Sequence, residues 1–307
     1  MTAAGASRSP ASGPSRLRAW LLASRPKTLL AAVAPVAVGT GLAQAREEFV
    51  LGPALAALVG AVLIQIGTNL ANDYYDHVRG SDTEERVGPV RVTQAGILEP
   101  GAVRRGMWAA FGAAFLVGVY LVAMAGWPVV VIGLLSLLSG WAYTGGPFPL
   151  AYHGLGDVFV FIFFGLVAVG GTYYVQALSF GSEVLLAGAG MGALTTAILV
   201  VNNLRDLETD ARSGKRTLAV RIGVVGSQLE YVLLLGFAVA VPLLGVALFD
   251  WTPWSFLSLL AGGAAAVPVH RVLRRGGDPA GLAPALGQTA GVTALYGFLL
   301  AGGLAFG

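Results

Sequence analysis

Apolar stretches of about 20 residues recur along nearly the whole chain, and most of them have no polar face. Such a stretch is long enough to cross the hydrocarbon core of a bilayer, whereas a helix on the surface of a soluble protein carries an apolar stripe opposite a polar one. Charged residues make up 11% of the 307 residues, against about 25% in soluble domains. The sequence therefore predicts an all-α membrane protein.

Glycine, proline and charged residues divide the apolar stretches into nine predicted spans. The connections between them alternate between short and long, which predicts a bundle with two different faces. The spans cover roughly residues 28–44, 53–75, 104–125, 127–143, 157–178, 184–203, 229–249, 253–270 and 285–306.

The basic residues distinguish the two faces. All of the 19 Lys and Arg residues except Arg46 lie in the N-terminal segment or in or beside the long connections. Basic residues concentrate on the cytoplasmic side of membrane proteins. We therefore expect a multi-pass protein of the cell membrane, with the N-terminus and long connections in the cytoplasm. This placement accounts for the net charge of +3 without a nucleic-acid partner.

Residues 1–18 are small, polar and basic and contain no acidic side chain, which predicts a disordered tail. A transit peptide has the same composition and is the alternative. Residues 19–307 then form a single transmembrane domain. Because the sequence has no Cys, disulfides, thiolate metal sites and cysteine nucleophiles are excluded.

A first acidic cluster lies at the cytoplasmic end of the second predicted span. Asn72, Asp73 and Asp76 follow Asn69 at offsets of three, four and seven residues, so the four side chains are expected to share one helix face.

A second acidic cluster lies at the cytoplasmic end of the sixth predicted span. Asn202, Asp206 and Asp210 recur every four residues, and Lys215 follows them. Both clusters are followed by glycine and basic residues, so the two segments form a weak internal repeat.

Two carboxylates one helical turn apart repel each other, and their charge is costly near a membrane. Bound Mg²⁺ relieves this cost, since it prefers oxygen ligands and is commonly shared between carboxylates and substrate phosphates. The two clusters therefore predict a clamp for a diphosphate. One alternative is a set of solvated carboxylates at helix ends. A second is an ion-coupled transporter, although transporter sites are typical of the bilayer midplane rather than the ends of spans.

Several segments of the chain resemble the UbiA superfamily of intramembrane prenyltransferases, whose members carry two Asp-rich motifs on a nine-helix bundle. The resemblance covers roughly residues 24–306. It rests on the sequences SRPKTL at 24–29, NDYYD at 72–76, RVGPVR at 86–91, YTGGP at 143–147, NNLRD at 202–206 and GKRTLAVR at 214–221. The first, third and fourth of these segments favour the branch of the superfamily that prenylates 1,4-dihydroxy-2-naphthoate.

The resemblance implies particular roles for individual residues. Asn69, Asn72, Asp73 and Asp76 would hold one Mg²⁺ and the diphosphate, and Asp206 and Asp210 a second metal, which makes the four aspartates the catalytic residues. The implied substrate-binding residues are Lys215 for the phosphates, Arg86, Arg91 and Arg205 for phosphate or for the carboxylate of the acceptor, and Tyr143 for the acceptor pocket.

Some of these residues have a second reading. Each arginine is equally suited to anchoring a cytoplasmic loop, and Tyr143 to the aromatic belt at the membrane interface. Asp157, at the start of the fifth predicted span, is either an acceptor-side base or an acid that complements a helix N-terminus. The acidic run at 82–85 departs from the family pattern and is not assigned to metal.

The resemblance implies transfer of a polyprenyl group from its diphosphate to 1,4-dihydroxy-2-naphthoate, with loss of CO₂ and diphosphate, in menaquinone biosynthesis. The partners would be these two substrates and the lipid bilayer, and the cofactor Mg²⁺. A related enzyme that uses 4-hydroxybenzoate or another aromatic acceptor is an alternative of the same class.

Overall fold

The computed structural model describes residues 14–81, 88 and 90–307. The predicted tail, residues 1–18, lies mostly outside these residues, and its last three residues, 16–18, belong to the first helix rather than to a tail.

Helices make up most of the described part of the chain, and this part contains no β-strand. A single 3-10 turn, Leu150–His153, lies between α5 and α6. The helices are α1 (Arg16–Ser24), α2 (Pro26–Ala45), α3 (Leu51–Val78), α4 (Pro100–Ala125), α5 (Pro128–Ala142), α6 (Gly156–Ala177), α7 (Ser182–Arg205), α8 (Leu207–Arg212), α9 (Leu218–Phe249), α10 (Pro253–Arg275) and α11 (Pro279–Ala305).

The all-α membrane bundle predicted from the sequence is confirmed. Eight of the described helices are long and apolar enough to cross a membrane. The remaining predicted span, the fourth at 127–143, corresponds to α5, which has 15 residues. At a rise of about 1.5 Å per residue, α5 covers roughly 22 Å of a hydrocarbon core about 30 Å thick.

Local sequence signals fix where several helices begin. Pro26, Pro100, Pro128 and Pro279 stand in the first turn of their helices, where the missing backbone N–H costs no hydrogen bond. At α11 the carboxylate of Asp278 also accepts a hydrogen bond of 2.9 Å from the backbone N–H of Gly281.

The main core joins α2, α6, α7, α9 and α11. It is built largely of Ala, Val and Leu, with Met191 and Tyr231 among its fully buried side chains. The Tyr231 hydroxyl shares a 2.9 Å hydrogen bond with Thr289, so its polar end is satisfied inside the bundle. A second core packs the segment around Val92 against α3 and α4 through Leu70 and Met107.

Helices α6 and α7 approach each other closely because glycines face one another at their crossing. Gly165 lies in a π-helical stretch of α6, Phe161–Val167. A Cβ atom added to Gly165 would lie 2.5 Å from the Cα of Gly192 and would also meet the carbonyl oxygen of Gly188. Small residues permit this kind of approach between membrane helices.

We expect Gly165→Ala to lower the free energy of unfolding by about 1–3 kcal/mol, because the added methyl group meets backbone that cannot rotate away. Thermal unfolding of the purified protein in detergent measures the change. Gly112→Ala is the matched control, since Gly112 is exposed on α4 and has no atom within 4 Å of an added Cβ. Equal melting temperatures for the two variants would contradict the close crossing.

Candidate active site

The first acidic cluster occupies the last turns of α3, and its side chains point in two directions. Asn69, Asn72 and Asp76 line an internal cavity of about 570 Å³. Asp73 is equally buried but is not among the residues that line it. Three of the four side chains that the spacing groups together therefore line the cavity, and Asp73 does not.

Asp73 holds a loop rather than facing the cavity. Its two carboxylate oxygens accept hydrogen bonds from the backbone N–H groups of Val92 and Thr93, at 3.1 and 2.9 Å. Asp73 was predicted to be a metal ligand, and in the structure both of its oxygens accept hydrogen bonds from this loop. The loop, in turn, carries Arg91 into the site.

Asp76 faces the cavity and has two partners. Arg91 donates a hydrogen bond of 3.0 Å to one carboxylate oxygen, and the Tyr152 hydroxyl donates one of 2.8 Å to the other. Arg91 also lines the cavity. Both charged groups are buried, which makes their pairing necessary.

Asn69 fixes the junction of α1 and α2. Its amide nitrogen donates hydrogen bonds of 2.9 Å to the carbonyl oxygen of Ser24 and 3.0 Å to the hydroxyl of Thr28. Arg25 lies between these two contacts with φ of 51°, in the left-handed region, and lines the cavity. Asn69 thus reaches the cavity wall while bracing the turn that presents Arg25.

The second acidic cluster lies at the C-terminal end of α7 and in α8. Arg205 and Asp206 form a bidentate pair with two bonds of 2.7 Å, and Arg205 also donates to Asn202 at 2.9 Å. Neither Arg205 nor Asp206 lines the cavity, whereas Asn202 does. Asp210 pairs with Lys215, which lines the cavity, at 3.6 Å.

Tyr152 joins the two clusters. Its hydroxyl bonds Asp76, and the Lys215 ammonium lies 5.5 Å from the centre of its ring. Burial, followed by the charge of Asp76, raises the pKa of the Tyr152 phenol, so the hydroxyl stays protonated and donates. The contacts run from Asp76 through Tyr152 and Lys215 to Asp210, which places both clusters at the same end of the bundle.

The turn after α5 completes this end of the cavity. Arg79 donates hydrogen bonds to the carbonyl oxygens of Thr144 and Gly146, and the Thr144 hydroxyl donates one of 2.8 Å to Asn72. Tyr143, predicted for the acceptor pocket, lines the cavity beside this turn. Arg86 and the acidic run at 82–85 lie outside the described residues.

The cavity is polar at one end and apolar along the rest of its length. The apolar part runs between α3, α4, α5 and α6 toward the Gly126 turn. Its walls include Ala57, Gly60, Ile64, Phe115, Gly118, Leu121, Val122, Val129, Gly133, Leu137, Phe159, Phe163, Val167 and Gly171.

The donor chemistry at the polar end fits Mg²⁺ that is shared with a phosphate. Within the described residues, no three acidic or histidine side chains gather closely enough to hold a metal by themselves. Mg²⁺ does not need such a cage, because it keeps waters and commonly takes one or two carboxylates together with substrate oxygens. Asn72, Asp76 and Asn202 line the cavity and supply oxygens of this kind, and Asp210, which does not line it, is connected to it through its ion pair with Lys215.

Sequence reasoning missed Tyr152, Thr144 and Arg25 as residues of the site. Thr144 and Arg25 stand inside segments that already pointed to the family, YTGGP and SRPKTL, so their position was a usable signal. Tyr152 carries no local signal, because it meets Asp76 through a contact that spans 76 residues.

Known proteins are similar to this chain in sequence. The family description "UbiA prenyltransferase family" matches residues 32–304. A 1,4-dihydroxy-2-naphthoate octaprenyltransferase from Mycobacterium tuberculosis is 40% identical over 291 residues, which cover 94% of this chain and 97% of the relative. One from Escherichia coli is 38% identical over 282 residues, covering 90% and 91%.

Solved structures agree with the fold. A UbiA homolog from Archaeoglobus fulgidus superimposes with a TM-score of 0.64 at 14% identity, covering 92% of this chain and 99% of that one. A structure of a UbiA homolog from the same organism bound to DMAPP and Mg²⁺ gives a TM-score of 0.56 at the same identity, covering 92% and 98%. The sequence match over nearly the whole chain decides the family, and the chain belongs to the UbiA prenyltransferases.

Proposed function

We propose that this chain transfers a polyprenyl group from its diphosphate to 1,4-dihydroxy-2-naphthoate, releasing CO₂ and diphosphate and giving the quinol form of a demethylmenaquinone. One observation carries the proposal: a single cavity joins a polar end lined by Asn72, Asp76, Asn202 and Lys215 to a long apolar part. A polyprenyl diphosphate has the same division into a charged head and an apolar tail. The naphthoate prenyltransferases that this chain resembles support the choice of acceptor.

The polar end provides groups of both signs for the diphosphate. Arg91 and Lys215 line it and supply the positive charge that phosphate oxygens require. Asn72 and Asp76 from α3 would hold one Mg²⁺, and Asp210, with Asn202, a second. Mg²⁺ bound there would neutralise the charge that develops on the departing diphosphate. Asp206 and Arg205 lie behind this layer and hold Asn202 in place.

The apolar part of the cavity provides a dry environment for the allylic cation. Exclusion of water protects such a cation from hydrolysis until the ring attacks. Phe159 and Phe163 line this part with ring centroids 5.9 Å apart, and aromatic faces stabilise nearby positive charge. The electron-rich naphthoate ring attacks at the carbon that bears its carboxylate, and loss of CO₂ restores aromaticity.

The distribution of basic residues supports an orientation in the cell membrane with the polar end toward the cytoplasm. Arg79, Arg91 and Lys215 all belong to connections on that side. Both substrates would then meet at the cytoplasmic interface, the naphthoate from solution and the polyprenyl diphosphate from the lipid.

We expect turnover to require a divalent cation, because the diphosphate and the acidic side chains need positive charge between them. Treatment with EDTA should abolish formation of the prenylated quinol by purified protein, and excess Mg²⁺ should restore it. Prenylated product is measured by chromatography after extraction. Full turnover in EDTA would contradict the metal clamp.

We expect Asp76→Asn and Asp73→Asn to have different effects. Asp76→Asn should lower kcat roughly 10²–10³-fold, because a charge that faces the reacting diphosphate is lost. Asp73→Asn should lower the free energy of unfolding by about 1–3 kcal/mol, because an amide group cannot accept both loop N–H bonds.

Thermal unfolding and turnover, measured on the same preparations, separate the two roles. Addition of Mg²⁺ with inorganic diphosphate should raise the melting temperature of Asp73→Asn but not that of Asp76→Asn. The opposite assignment would place Asp73 rather than Asp76 at the metal.

We expect Gly133→Phe to discriminate against long prenyl chains. Gly133 lines the apolar part of the cavity on α5, and an added Cβ has no atom within 4 Å, so a ring can occupy space that the chain needs. The ratio of kcat/KM for a long polyprenyl diphosphate to that for geranyl diphosphate should fall about tenfold, since about 1.4 kcal/mol of burial would be lost. Gly112→Phe on the exposed face of α4 is the control and should leave the ratio unchanged.

A further inference from the structure

Asp157 is a buried acid of the cavity that the proposed clamp does not use. It stands in the first turn of α6, is 5% exposed and lines the same cavity as Asn72 and Asp76. Its carboxylate oxygen Oδ2 has no hydrogen-bond partner among the described residues, although its backbone carbonyl accepts a bond of 3.4 Å from Thr196. A buried polar atom without a partner is costly, so a ligand group is expected to satisfy it.

The other buried acids of the site all have a partner. Asp73 is bound by backbone N–H groups, Asp76 by Arg91, Asp206 by Arg205 and Asp210 by Lys215. No basic side chain of the described residues forms an ion pair with Asp157. It is therefore the acid of this cavity that is able to take up a proton without breaking an ion pair.

Tyr143 and Gly156 define the surroundings of Asp157. A Cβ atom on Gly156 would lie 3.0 Å from the Tyr143 hydroxyl, so the absence of a side chain lets this hydroxyl reach the start of α6. Tyr143 and Asp157 both line the cavity there. Together they form a polar region of the cavity wall beside the apolar part. Such a region suits an aromatic ring that carries hydroxyl groups.

A helix N-terminus favours a carboxylate over a carboxylic acid, because the N-terminal dipole is positive. The position of Asp157 in the first turn of α6 therefore offsets part of the cost of an unpaired charge and keeps the group available as a base. An acid that served the helix dipole alone would not need to line the cavity or to be withdrawn from solvent.

We propose that Asp157 is the catalytic base for the aromatic acceptor, an inference that rests on the proposed function. Its Oδ2 accepts the hydrogen bond of the ring hydroxyl adjacent to the attacked carbon and takes its proton as the ring attacks. The O–H electron pair forms the C=O bond, a ring π pair forms the new C–C bond to the prenyl group, and the C–O pair of the substrate leaves with diphosphate.

The second half of the reaction returns the proton. The bond between the ring and the carboxylate breaks, CO₂ leaves, and its electron pair restores the aromatic ring as the ketone oxygen recovers the proton from Asp157. Asp157 ends in its starting state, so each turnover is balanced without another reactant.

The test compares Asp157→Asn with the unaltered protein, using the full chain in detergent, 1,4-dihydroxy-2-naphthoate, geranylgeranyl diphosphate and Mg²⁺. The amide keeps the size of the side chain but cannot take a proton, so kcat should fall roughly 10²–10⁴-fold. The KM for the prenyl diphosphate should stay unchanged, since Asp157 does not contact the diphosphate in this mechanism. Asp157→Glu keeps a carboxylate and should retain the greater part of the lost activity.

The dependence of rate on pH separates a base from a structural residue. An acceptor whose hydroxyl has already ionised no longer needs the base, so the rate of Asp157→Asn should rise about tenfold per pH unit toward the pKa of that hydroxyl, while the unaltered protein reaches a plateau earlier. Of the described titratable groups, Tyr143 from the turn after α5 and Glu230 from α9 are close enough to interact with Asp157. Asp76, Arg91 and Lys215 line the same cavity and are common to both proteins.

Asp250→Asn is the control, because Asp250 is an exposed acid at the C-terminal end of α9 that does not line the cavity, and its turnover should match that of the unaltered protein. Turnover of Asp157→Asn within about threefold of the unaltered protein, or a parallel pH profile, would overturn the proposal. If Asp157→Asn does not fold, Asp157→Glu replaces it in the test. A rate of Asp157→Glu that keeps rising with pH, as the rate of a reaction without a base does, would overturn the proposal equally. No prenylated product from the unaltered protein would instead refute the proposed function, and the inference with it.

Discussion

The hydrogen bond from Tyr152 to Asp76 is the contact on which the site depends, because it joins two parts of the chain that are far apart in sequence. Asp76 ends one spanning helix, and Lys215, against the ring of Tyr152, follows another. Without this connection each acidic cluster would be an isolated and costly group of charges at a helix end. With it, Asn72 and Asp76 of the first cluster and Asn202 and Lys215 of the second line one cavity.

The cost of charge near a membrane also explains how the buried acids are arranged. Asp76, Asp206 and Asp210 each pair with a basic side chain, and Asp73 with backbone N–H groups. A buried carboxylate that loses its partner costs several kcal/mol, roughly 3–5. The pairs thus keep the charges at the polar end of the cavity while the rest of the wall stays apolar for the prenyl chain.

The sequence was sufficient for the fold class, because apolar length and the placement of basic residues report directly on membrane spans. It was also sufficient for bringing Asn72, Asp76 and Lys215 to one site. It did not indicate that Asp73 accepts hydrogen bonds from the loop at Val92, nor that Tyr152 reaches Asp76. Both contacts depend on tertiary packing that no local pattern records.

The pairing of acids with basic side chains has a consequence for the proposed reaction. Arg91 and Lys215 now neutralise Asp76 and Asp210, and both basic groups line the cavity. When a diphosphate enters with Mg²⁺, the metal can neutralise the carboxylates, and the two basic side chains become available to the phosphate oxygens. Each charge then exchanges one partner for another and none is left alone in a medium of low dielectric constant. The same ion pairs that balance charge at the cavity would therefore supply the positive charge that the substrate requires.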